Sequence, residues 1–323
     1  MTTERKPILS VSGLEVEFAG GLRAVRGVDF SVGQGEVLGL VGESGCGKSV
    51  TCLSLLGLLP ANGRVAAGTA IFEGQNLLAL DERRLSRVRG GQISYIFQNS
   101  TLALNPILTV GRQIAEVMVT HQGLDRATAR KRAAELLDRV GVPQPEKRMR
   151  SFPHQFSGGM NQRVMIAMAL ACDPAIVIAD EPTTALDVTI QAQILELLAE
   201  IARERGTSVV MITHDLGIVA EMADRVAVMY AGRMVETGRV ADIFHHARHP
   251  YTRGLLASRP RIDRRMEVLA TIEGQVPSLR DMPPGCPFAP RCARVQERCG
   301  AMPNYTDQGR DHRYACWNPE RAA

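Results

Sequence analysis

The chain has 323 residues, of which 45% are hydrophobic and 22% are charged, as in ordinary globular proteins. No apolar run approaches the roughly 18 residues of a membrane span, and the N-terminus Met-Thr-Thr-Glu-Arg-Lys-Pro lacks the apolar core of a signal peptide, so we expect a protein of the cytoplasm. The net charge is +4, and the scattered arginines after Arg248 do not favour nucleic-acid binding.

The N-terminal part of the chain predicts strands that lead into a phosphate-binding loop. A Gly20-Gly21 turn separates the first two strand patterns, and residues 49–59 predict a helix after the loop. A strand, a loop and a helix in this order are the context that a phosphate loop requires. The predicted strands cover residues 7–18, 24–32 and 36–41.

The segment from Gly42 to Ser49 matches the pattern G-x-x-x-x-G-K-S. Its glycines let the backbone N–H groups point at phosphate oxygens, and the helix that follows adds partial positive charge. Lys48 is predicted to contact the outer phosphates and Ser49 to ligate Mg²⁺. Cys46 occupies a free position of the motif and is interpreted as a space-filling residue (filler) without a redox role. The predicted nucleotide-binding residues are Gly42, Glu43, Ser44, Gly45, Cys46, Gly47, Lys48, Ser49 and Val50.

The middle of the chain predicts alternating helices and buried strands. This alternation indicates an α/β fold with a mainly parallel sheet and helices on both faces. A helical stretch at 108–140 lies between the first nucleotide-binding elements and the Ser-Gly-Gly sequence that begins at residue 157. The other predicted helices cover 162–172 and 190–205, and the predicted strands cover 176–179, 208–213 and 225–230.

Polar residues at the ends of these strands are the candidates for catalysis. Asp180 ends an apolar run, where it can hold a hydrated Mg²⁺, and Glu181 is suited to orient and polarise the attacking water. His214 follows the strand at 208–213, where a contact to the γ-phosphate is needed. Phe18 could stack on adenine, although its spacing is equally compatible with a core position.

Together these residues resemble the ATP-binding subunits of ABC transporters, from about residue 7 to the C-terminus. Within that superfamily the chain looks most like the ATPase subunits of dipeptide and oligopeptide permeases, a family that also includes nickel importers. The two C-terminal stretches are the more specific, because most ABC ATPases lack them. The supporting stretches are Phe156–Arg163, Val164–Leu170, Ala179–Asp187, His249–Thr252 and Gly285–Cys292.

The resemblance implies a P-loop ABC ATPase with an inserted helical subdomain and a small cysteine-containing C-terminal extension. The nucleotide-binding domain is expected at 1–255, with the helical subdomain at about 100–165, and the extension at 256–323. Two such subunits are expected to pair head to tail and to sandwich two ATP molecules.

The resemblance also implies roles for particular residues. Ser157, Gly158 and Gly159 are expected to contact ATP held by the partner's phosphate loop, and Asp187 to carry signals across that interface. Gln98 is expected to sense Mg²⁺ or the water and, with the helical segment 100–150, to touch the permease. Two departures from the family pattern, at Asn161 and at Asn99-Ser100, bear on coupling and on the choice of partner.

The implied assembly contains a second ATPase subunit that is expected to be non-identical, two permease subunits and an extracytoplasmic substrate-binding protein, without nucleic acid. The expected place is the cytoplasmic face of the plasma membrane, as a peripheral subunit. The expected function is to couple ATP hydrolysis to the import of di- and oligopeptides, with nickel or another small solute as the alternative.

Two further functions are compatible with parts of the pattern. A soluble ABC ATPase of DNA repair or of ribosomes usually carries two cassettes or a long coiled coil, which this chain lacks. A non-catalytic regulator that binds ATP without turnover is disfavoured by the intact catalytic set. That set comprises Lys48, Asp180, Glu181 and His214.

Four cysteines near the C-terminus have the spacing C-x5-C-x6-C-x16-C. Disulfides are disfavoured in the cytoplasm, so clustered thiols suggest a metal, either a [4Fe–4S] cluster or Zn²⁺. The absence of C-x2-C pairs favours iron–sulfur, and the resemblance points the same way, while reduced structural cysteines are the third interpretation. The expected ligands are Cys286, Cys292, Cys299 and Cys316.

Other potential metal ligands have simpler interpretations. Cys52 and Cys172 are predicted to lie in helices and to be part of the core. His245, His246 and His249 are predicted to form a helix end and a turn before Pro250 rather than a metal site.

Overall fold

A computed structural model describes residues 5–99, 103–183, 186–258, 271–308 and 311–320. The chain forms two compact units, one of Met1–Ala79 with Met211–Ala323 and one of Leu80–Val210. The predicted division at residue 255 falls inside the first unit and stays a prediction. Residues 184–185, within the predicted Ala179–Asp187 stretch, and Ser100 lie outside the described residues.

The first unit contains an antiparallel sheet built around its longest strand, β1. The order is β2-β1-β4-β5, and β1 and β2 agree with the predicted strands and turn. Gly13, at φ +58, shifts the register, so the buried positions change from odd to even along β1. The strands are β1 (Pro7–Phe18), β2 (Leu22–Gly33), β4 (Gly63–Phe72) and β5 (Gln75–Asn76).

A second sheet of the first unit carries the phosphate loop. Its order is β11-β12-β10-β9-β3, and β3 runs parallel to β9 while the other neighbours are antiparallel. β8 (Ser208–Thr213) has residues in both units. The remaining strands are β3 (Val37–Val41), β9 (Arg225–Tyr230), β10 (Arg233–Arg239), β11 (Thr306–Asp307) and β12 (Arg313–Tyr314).

The helices of the first unit are short. The helix predicted at 49–59 ends at Leu55, because Gly57 takes the left-handed conformation at φ +63 that terminates helices. None of the described helices in either unit is long and apolar enough to cross a membrane. The first unit has α1 (Lys48–Leu55), α8 (Leu216–Met222), α9 (Val240–His246) and α10 (Pro250–Ala257).

The second unit is mainly helical and contains one parallel strand pair, β6 (Ile93–Ile96) with β7 (Ile176–Asp180). The helical stretch predicted at 108–140 is two helices, because Gly123 ends the first at φ +67 and Asp125 caps the second through the N–H groups of Ala127 and Thr128. The helices are α2 (Glu82–Val88), α3 (Val110–Gln122), α4 (Arg126–Arg139), α5 (Pro145–Arg148), α6 (Gly158–Leu170) and α7 (Val188–Arg205).

Aromatic side chains join the C-terminal segment, residues 271–308 and 311–320, to the rest of the first unit. Tyr230, Tyr251 and Phe288 are buried, and their ring centroids lie 4.6 to 5.4 Å apart. Such aromatic contacts contribute beyond the area they bury, by about 0.5–1.5 kcal/mol each. The segment therefore packs into the core beside β9.

A buried polar cluster lies next to these rings. The fully buried Glu236 carboxylate accepts hydrogen bonds from the N–H groups of Arg248 and His249, at 2.6 and 2.9 Å, and lies 2.8 Å from His312 Nε2. His249 Nδ1 in turn accepts from the N–H of Tyr251, at the start of α10. The helix Val240–His246 ends with His245 and His246, and His249 precedes Pro250 as the N-cap of α10, so the helix end and turn predicted for these three histidines are confirmed.

Replacing His249 by Asn should remove part of the acid sensitivity of the fold. Burial lowers the pKa of His249 to about 4, although Glu236 opposes this shift. Because the unfolded chain binds this proton more readily, stability is lost as pH falls from about 6.5 to about 4, by roughly 3 kcal/mol. His249→Asn keeps a good helix N-cap and removes the titration. Urea unfolding at several pH values measures the slope of the free energy of unfolding against pH.

The matched control is His245→Asn, which changes an exposed histidine of the same segment. We expect its pH dependence to equal that of the unmodified chain. An unchanged slope in His249→Asn would contradict the assignment of this acid sensitivity to His249.

Candidate nucleotide-binding site

Two glycines of the phosphate loop lie where no other residue fits. The loop joins β3 to α1, and a Cβ at Gly42 would lie 2.2 Å from the backbone oxygen of Met229. Gly47 has φ +105, and its Cβ would lie 2.8 Å from the backbone oxygen of Ala24. Close packing against neighbouring strands therefore explains both glycines of the motif.

Lys48 lies across the start of the loop. Its side chain is buried, and its Nζ donates to the carbonyl oxygens of Gly42 and Glu43 at 2.7 and 2.9 Å. Ser49 follows in the first turn of α1, as the predicted Mg²⁺ role requires. A fixed ammonium beside a helix start suits a phosphate group, so these residues fit the predicted nucleotide.

Cys46 is fully buried inside the loop. Burial raises the pKa of its thiol, against the opposing effect of Lys48, so the thiol is neutral at physiological pH. Its carbonyl accepts from the N–H of Gly232, and its N–H donates to the carbonyl of Glu43. These contacts agree with the interpretation of Cys46 as filler.

The predicted catalytic carboxylates lie in the second unit, at the end of β7. Asp180 is 6% exposed and accepts a hydrogen bond of 2.7 Å from the hydroxyl of Tyr95. Glu181 has φ +43, a left-handed conformation that costs a non-glycine residue roughly 1–2 kcal/mol and is often found at active sites. Gln98 Nε2 donates to Glu181 Oε2 at 2.8 Å. The structure therefore brings Gln98, Asp180 and Glu181 together.

The hydrogen-bond donor to Asp180, Tyr95, is not among the residues that the sequence pattern predicted. It lies on β6, in parallel register with Ile178 of β7, and its side chain reaches the carboxylate two residues further on. The only sequence signal for this contact is a tyrosine near the end of the strand that precedes Gln98. The hydroxyl of Tyr95 holds the Asp180 carboxylate in one orientation.

The remaining predicted residues of the first unit are His214 and Phe18. His214 is exposed at the end of β8, and Asp215 after it caps α8 through the N–H of Gly217 at 2.6 Å. Phe18 is half-buried at the end of β1, where a Cβ on Gly63 would lie 2.9 Å from its ring. The ring therefore packs on the backbone of β4, and its stacking on adenine stays a prediction.

The Ser-Gly-Gly sequence begins a helix of the second unit. Ser157 is the N-cap of α6, and its Oγ accepts from the N–H of Met160 at 3.3 Å. Ser157 and Gly158 are exposed, whereas a Cβ on Gly159 would lie 2.9 Å from Ile190 of α7. This 13-residue helix thus begins with two glycines, and its start carries the partial positive charge that anions favour.

Asp187 and Asn161 have local structural roles in the same unit. The exposed Asp187 caps α7, since its Oδ1 accepts from the N–H of Ile190 at 2.9 Å. Asn161 was expected near a partner surface, but it is 3% exposed and its Nδ2 donates to the carbonyl of Pro153. Its position in the first turn of α6 places it inside the unit.

The prediction of an iron–sulfur cluster is wrong, and so is its zinc alternative. Within the described part of the chain, no group of three or more His, Cys, Asp or Glu side chains is arranged to hold a metal ion. The four cysteines of the C-terminal segment line one small cavity beside His249 and Phe288. Their spacing in the sequence therefore predicted their proximity but not a ligand geometry.

The four cysteines are free thiols. Burial raises the pKa of Cys286 and Cys292, and that of Cys316 to about 11, which keeps these thiols protonated. Cys292 Sγ accepts from the N–H of Arg294, and Cys299 Sγ from that of Gln296. The third interpretation of the sequence analysis, reduced structural cysteines, agrees with these contacts.

Two family profiles match the chain. The one described as ABC transporter matches residues 25–184, and the one described as oligopeptide/dipeptide transporter, C-terminal region, matches residues 235–299. The dipeptide transport ATP-binding protein of Bacillus subtilis is 50% identical, over 98% of this chain and 96% of its own length. The oligopeptide transport ATP-binding protein of Escherichia coli is 49% identical, over 97% of this chain and 93% of its own length.

Solved structures agree with these matches. The ATP-binding cassette MJ0796, in a dimeric post-hydrolysis state with ADP and Pi, aligns with a TM-score of 0.65 and 27% identity, over 72% of this chain and 98% of its own. The protein cbiO1 of Clostridium perfringens, part of an ABC transporter complex, aligns with a TM-score of 0.65 and 28% identity, over 75% of this chain and 92% of its own. The α/β nucleotide-binding fold expected from the sequence is therefore confirmed.

Proposed function

Because this chain belongs to the ABC transporter family of ATPases, and to its oligopeptide and dipeptide branch, we propose that it hydrolyses ATP to drive the import of short peptides. The observation that carries the proposal is the 50% identity to a dipeptide transport ATP-binding protein along almost the whole of both chains. The match of residues 235–299 to the C-terminal region of peptide transporters supports the same branch.

ATP is proposed to lie on the phosphate loop, with Lys48 at its outer phosphates. Ser49, Asp180 and Gln98 are proposed to hold the Mg²⁺, which neutralises charge on the phosphate oxygens when it is bound. The hydroxyl of Tyr95 fixes the Asp180 carboxylate for this contact. Phe18 is proposed to stack on the adenine, and the backbone of residues 42–50 to bind the phosphates.

Glu181 is proposed to polarise the water that attacks the γ-phosphate. Its hydrogen bond to Gln98 orients the carboxylate, and its left-handed backbone holds it at the carboxyl end of β7. His214, at the carboxyl end of β8, is proposed to contact the γ-phosphate. A positioned carboxylate base contributes a factor of roughly 10²–10⁴ to a rate.

The nucleotide site is proposed to be completed by a second, non-identical ATPase subunit. Ser157, Gly158 and Gly159 of each subunit would contact ATP on the other, and Asp187 would lie at their interface. The start of α6 and Asp187 are both exposed, so they are accessible to such a partner. Two permease subunits and an external binding protein complete the proposed importer, with this chain peripheral at the cytoplasmic face.

Uptake of a labelled tripeptide tests the proposal in the cell that encodes this chain. We expect deletion of its gene to lower uptake of the labelled tripeptide, and a plasmid copy of the gene to restore it. A copy with Lys48→Ala should fail to restore uptake, because the ammonium at the phosphate loop is lost. Uptake of a free amino acid serves as the control for membrane energisation.

Radioactive nickel is followed in the same strains. Loss of nickel uptake with intact peptide uptake would replace the peptide assignment by a nickel importer. Unchanged uptake of both solutes would contradict the proposal of a peptide or nickel importer.

A further inference from the structure

Arg291 of the C-terminal segment contacts the phosphate loop directly. Its guanidinium pairs with Glu43 at both carboxylate oxygens, with Nη1–Oε2 at 2.7 Å and Nη2–Oε1 at 3.0 Å. Two parallel N–H bonds to one carboxylate are the strongest geometry available to this pair, and lysine cannot reproduce it. The Arg291 side chain is 4% exposed and that of Glu43 is 31% exposed, so the guanidinium is withdrawn from water while the carboxylate stays partly exposed.

The position of Arg291 is fixed by groups outside the loop. Its Nε donates to the carbonyl of Glu273 at 2.9 Å, and Nη2 donates to the carbonyl of Ile272 at 3.1 Å. Nη1 also lies 3.3 Å from the hydroxyl of Tyr230, whose ring is 5.8 Å from the guanidinium carbon. The guanidinium is therefore preorganised by the C-terminal segment and β9, and Glu43 meets a charge already in place.

Glu43 is held at three of its groups. Arg291 binds its carboxylate, its N–H donates to the hydroxyl of Tyr251 at 2.9 Å, and its carbonyl accepts from Lys48 Nζ. Tyr251 is completely buried against Tyr230. Residues beyond 250 therefore fix the second residue of the phosphate loop, and that residue in turn contacts the ammonium that is proposed to bind phosphate.

The charge of Glu43 also needs a partner at this place. A carboxylate in a loop that binds a polyanionic nucleotide raises the free energy of the bound state, because like charges repel at short range. Pairing with Arg291 offsets that charge. Hydrogen bonding to Glu43 also raises the pKa of Arg291, so the guanidinium stays charged at every physiological pH.

We propose that Arg291 is a positioning residue for ATP: it holds Glu43, and through it the phosphate loop, in the binding conformation and neutralises the carboxylate beside the nucleotide. The C-terminal segment of the chain thereby takes part in nucleotide binding. This inference rests on the proposed function.

The test is ATP affinity of the purified full chain, measured by equilibrium dialysis with labelled Mg-ATP. Arg291→Met should weaken binding on the order of tenfold, the scale of coupling between contacting charged groups. The ATP affinity of Arg291→Lys should lie between those of the unmodified chain and Arg291→Met, because lysine keeps the charge without the paired geometry. The double variant Glu43→Gln with Arg291→Met should recover only part of the loss, because the uncompensated carboxylate is gone but the hold of Arg291 on the loop is not restored.

Arg294→Met is the matched control. Arg294 lies three residues further along and bonds Asn318 and the carbonyl of Pro319, all within the C-terminal segment. We expect its ATP affinity to equal that of the unmodified chain, which separates an effect on the loop from an effect on the folding of the segment.

Three results would overturn the inference: unchanged affinity in Arg291→Met, a double variant as weak as Arg291→Met, or an equal loss in Arg294→Met. In each of these cases the unmodified chain still binds ATP, and the proposed function stands. Failure of the unmodified chain to bind Mg-ATP would instead overturn both.

Discussion

Glu181→Gln should lower ATP turnover by a factor of at least about 100 while ATP remains bound. The amide keeps the size of the side chain and its contact with Gln98 but cannot polarise the attacking water, and a positioned base contributes roughly 10²–10⁴. Hydrolysis is proposed to reopen the sandwich, so the variant should accumulate as a closed dimer. Phosphate release is measured on the assembly purified from membranes through a tag on this chain.

Glu196→Gln is the control, since it makes the same chemical change on the exposed face of α7. Its turnover should match that of the unmodified assembly. Trapped nucleotide is counted after rapid gel filtration, where Glu181→Gln should retain ATP and the control should release ADP. Turnover in Glu181→Gln close to the unmodified rate would remove Glu181 from the proposed role.

The sequence predicted the elements whose signal is local. The boundaries of β1, β8 and β9 were confirmed because apolar periodicity and flanking glycines act over a few residues. β4 was not predicted, since most of its residues are exposed and it is defined by backbone pairing with β1. The short strand β12 depends likewise on pairing with a distant strand, β10, and β11 in turn pairs with β12.

The same distinction applies to the site. The phosphate loop and the Asp180-Glu181 pair could be predicted because the residues of each motif are close together in the sequence. The hydroxyl that orients Asp180 comes from 85 residues away, and the guanidinium on Glu43 comes from 248 residues away. Such partners follow from tertiary packing, which spacing along one chain does not encode.

The wrong metal prediction has the same cause. Four cysteines brought to one cavity satisfy the sequence pattern of a metal site, but metal binding also needs ligand geometry, and no group of three or more His, Cys, Asp or Glu side chains in the described residues has it. Other side chains, such as those of Phe288 and Trp317, line the same cavity. Clustering therefore reflects packing of a segment with few large apolar residues.

Ser157→Asp should stop ATP turnover without weakening ATP binding by the isolated chain. Aspartate is as good an N-cap as serine, so α6 keeps its first turn. The new carboxylate would face the triphosphate on the partner subunit, where repulsion opposes closure of the sandwich. Because closure involves both subunits at once, blocking one interface should prevent hydrolysis at both sites. We expect the rate of ATP turnover to fall on the order of 100-fold.

The matched control is Asp81→Ser, which exchanges the same two N-cap residues on α2, outside the proposed site and outside the segment 100–150. Phosphate release by the tagged assembly should be unchanged in this control and lost in Ser157→Asp. Equilibrium dialysis should give equal ATP affinity for the isolated chain in both variants. A Ser157→Asp assembly that turns over ATP normally would contradict a nucleotide site shared between subunits, because no other proposed contact joins the start of α6 to ATP.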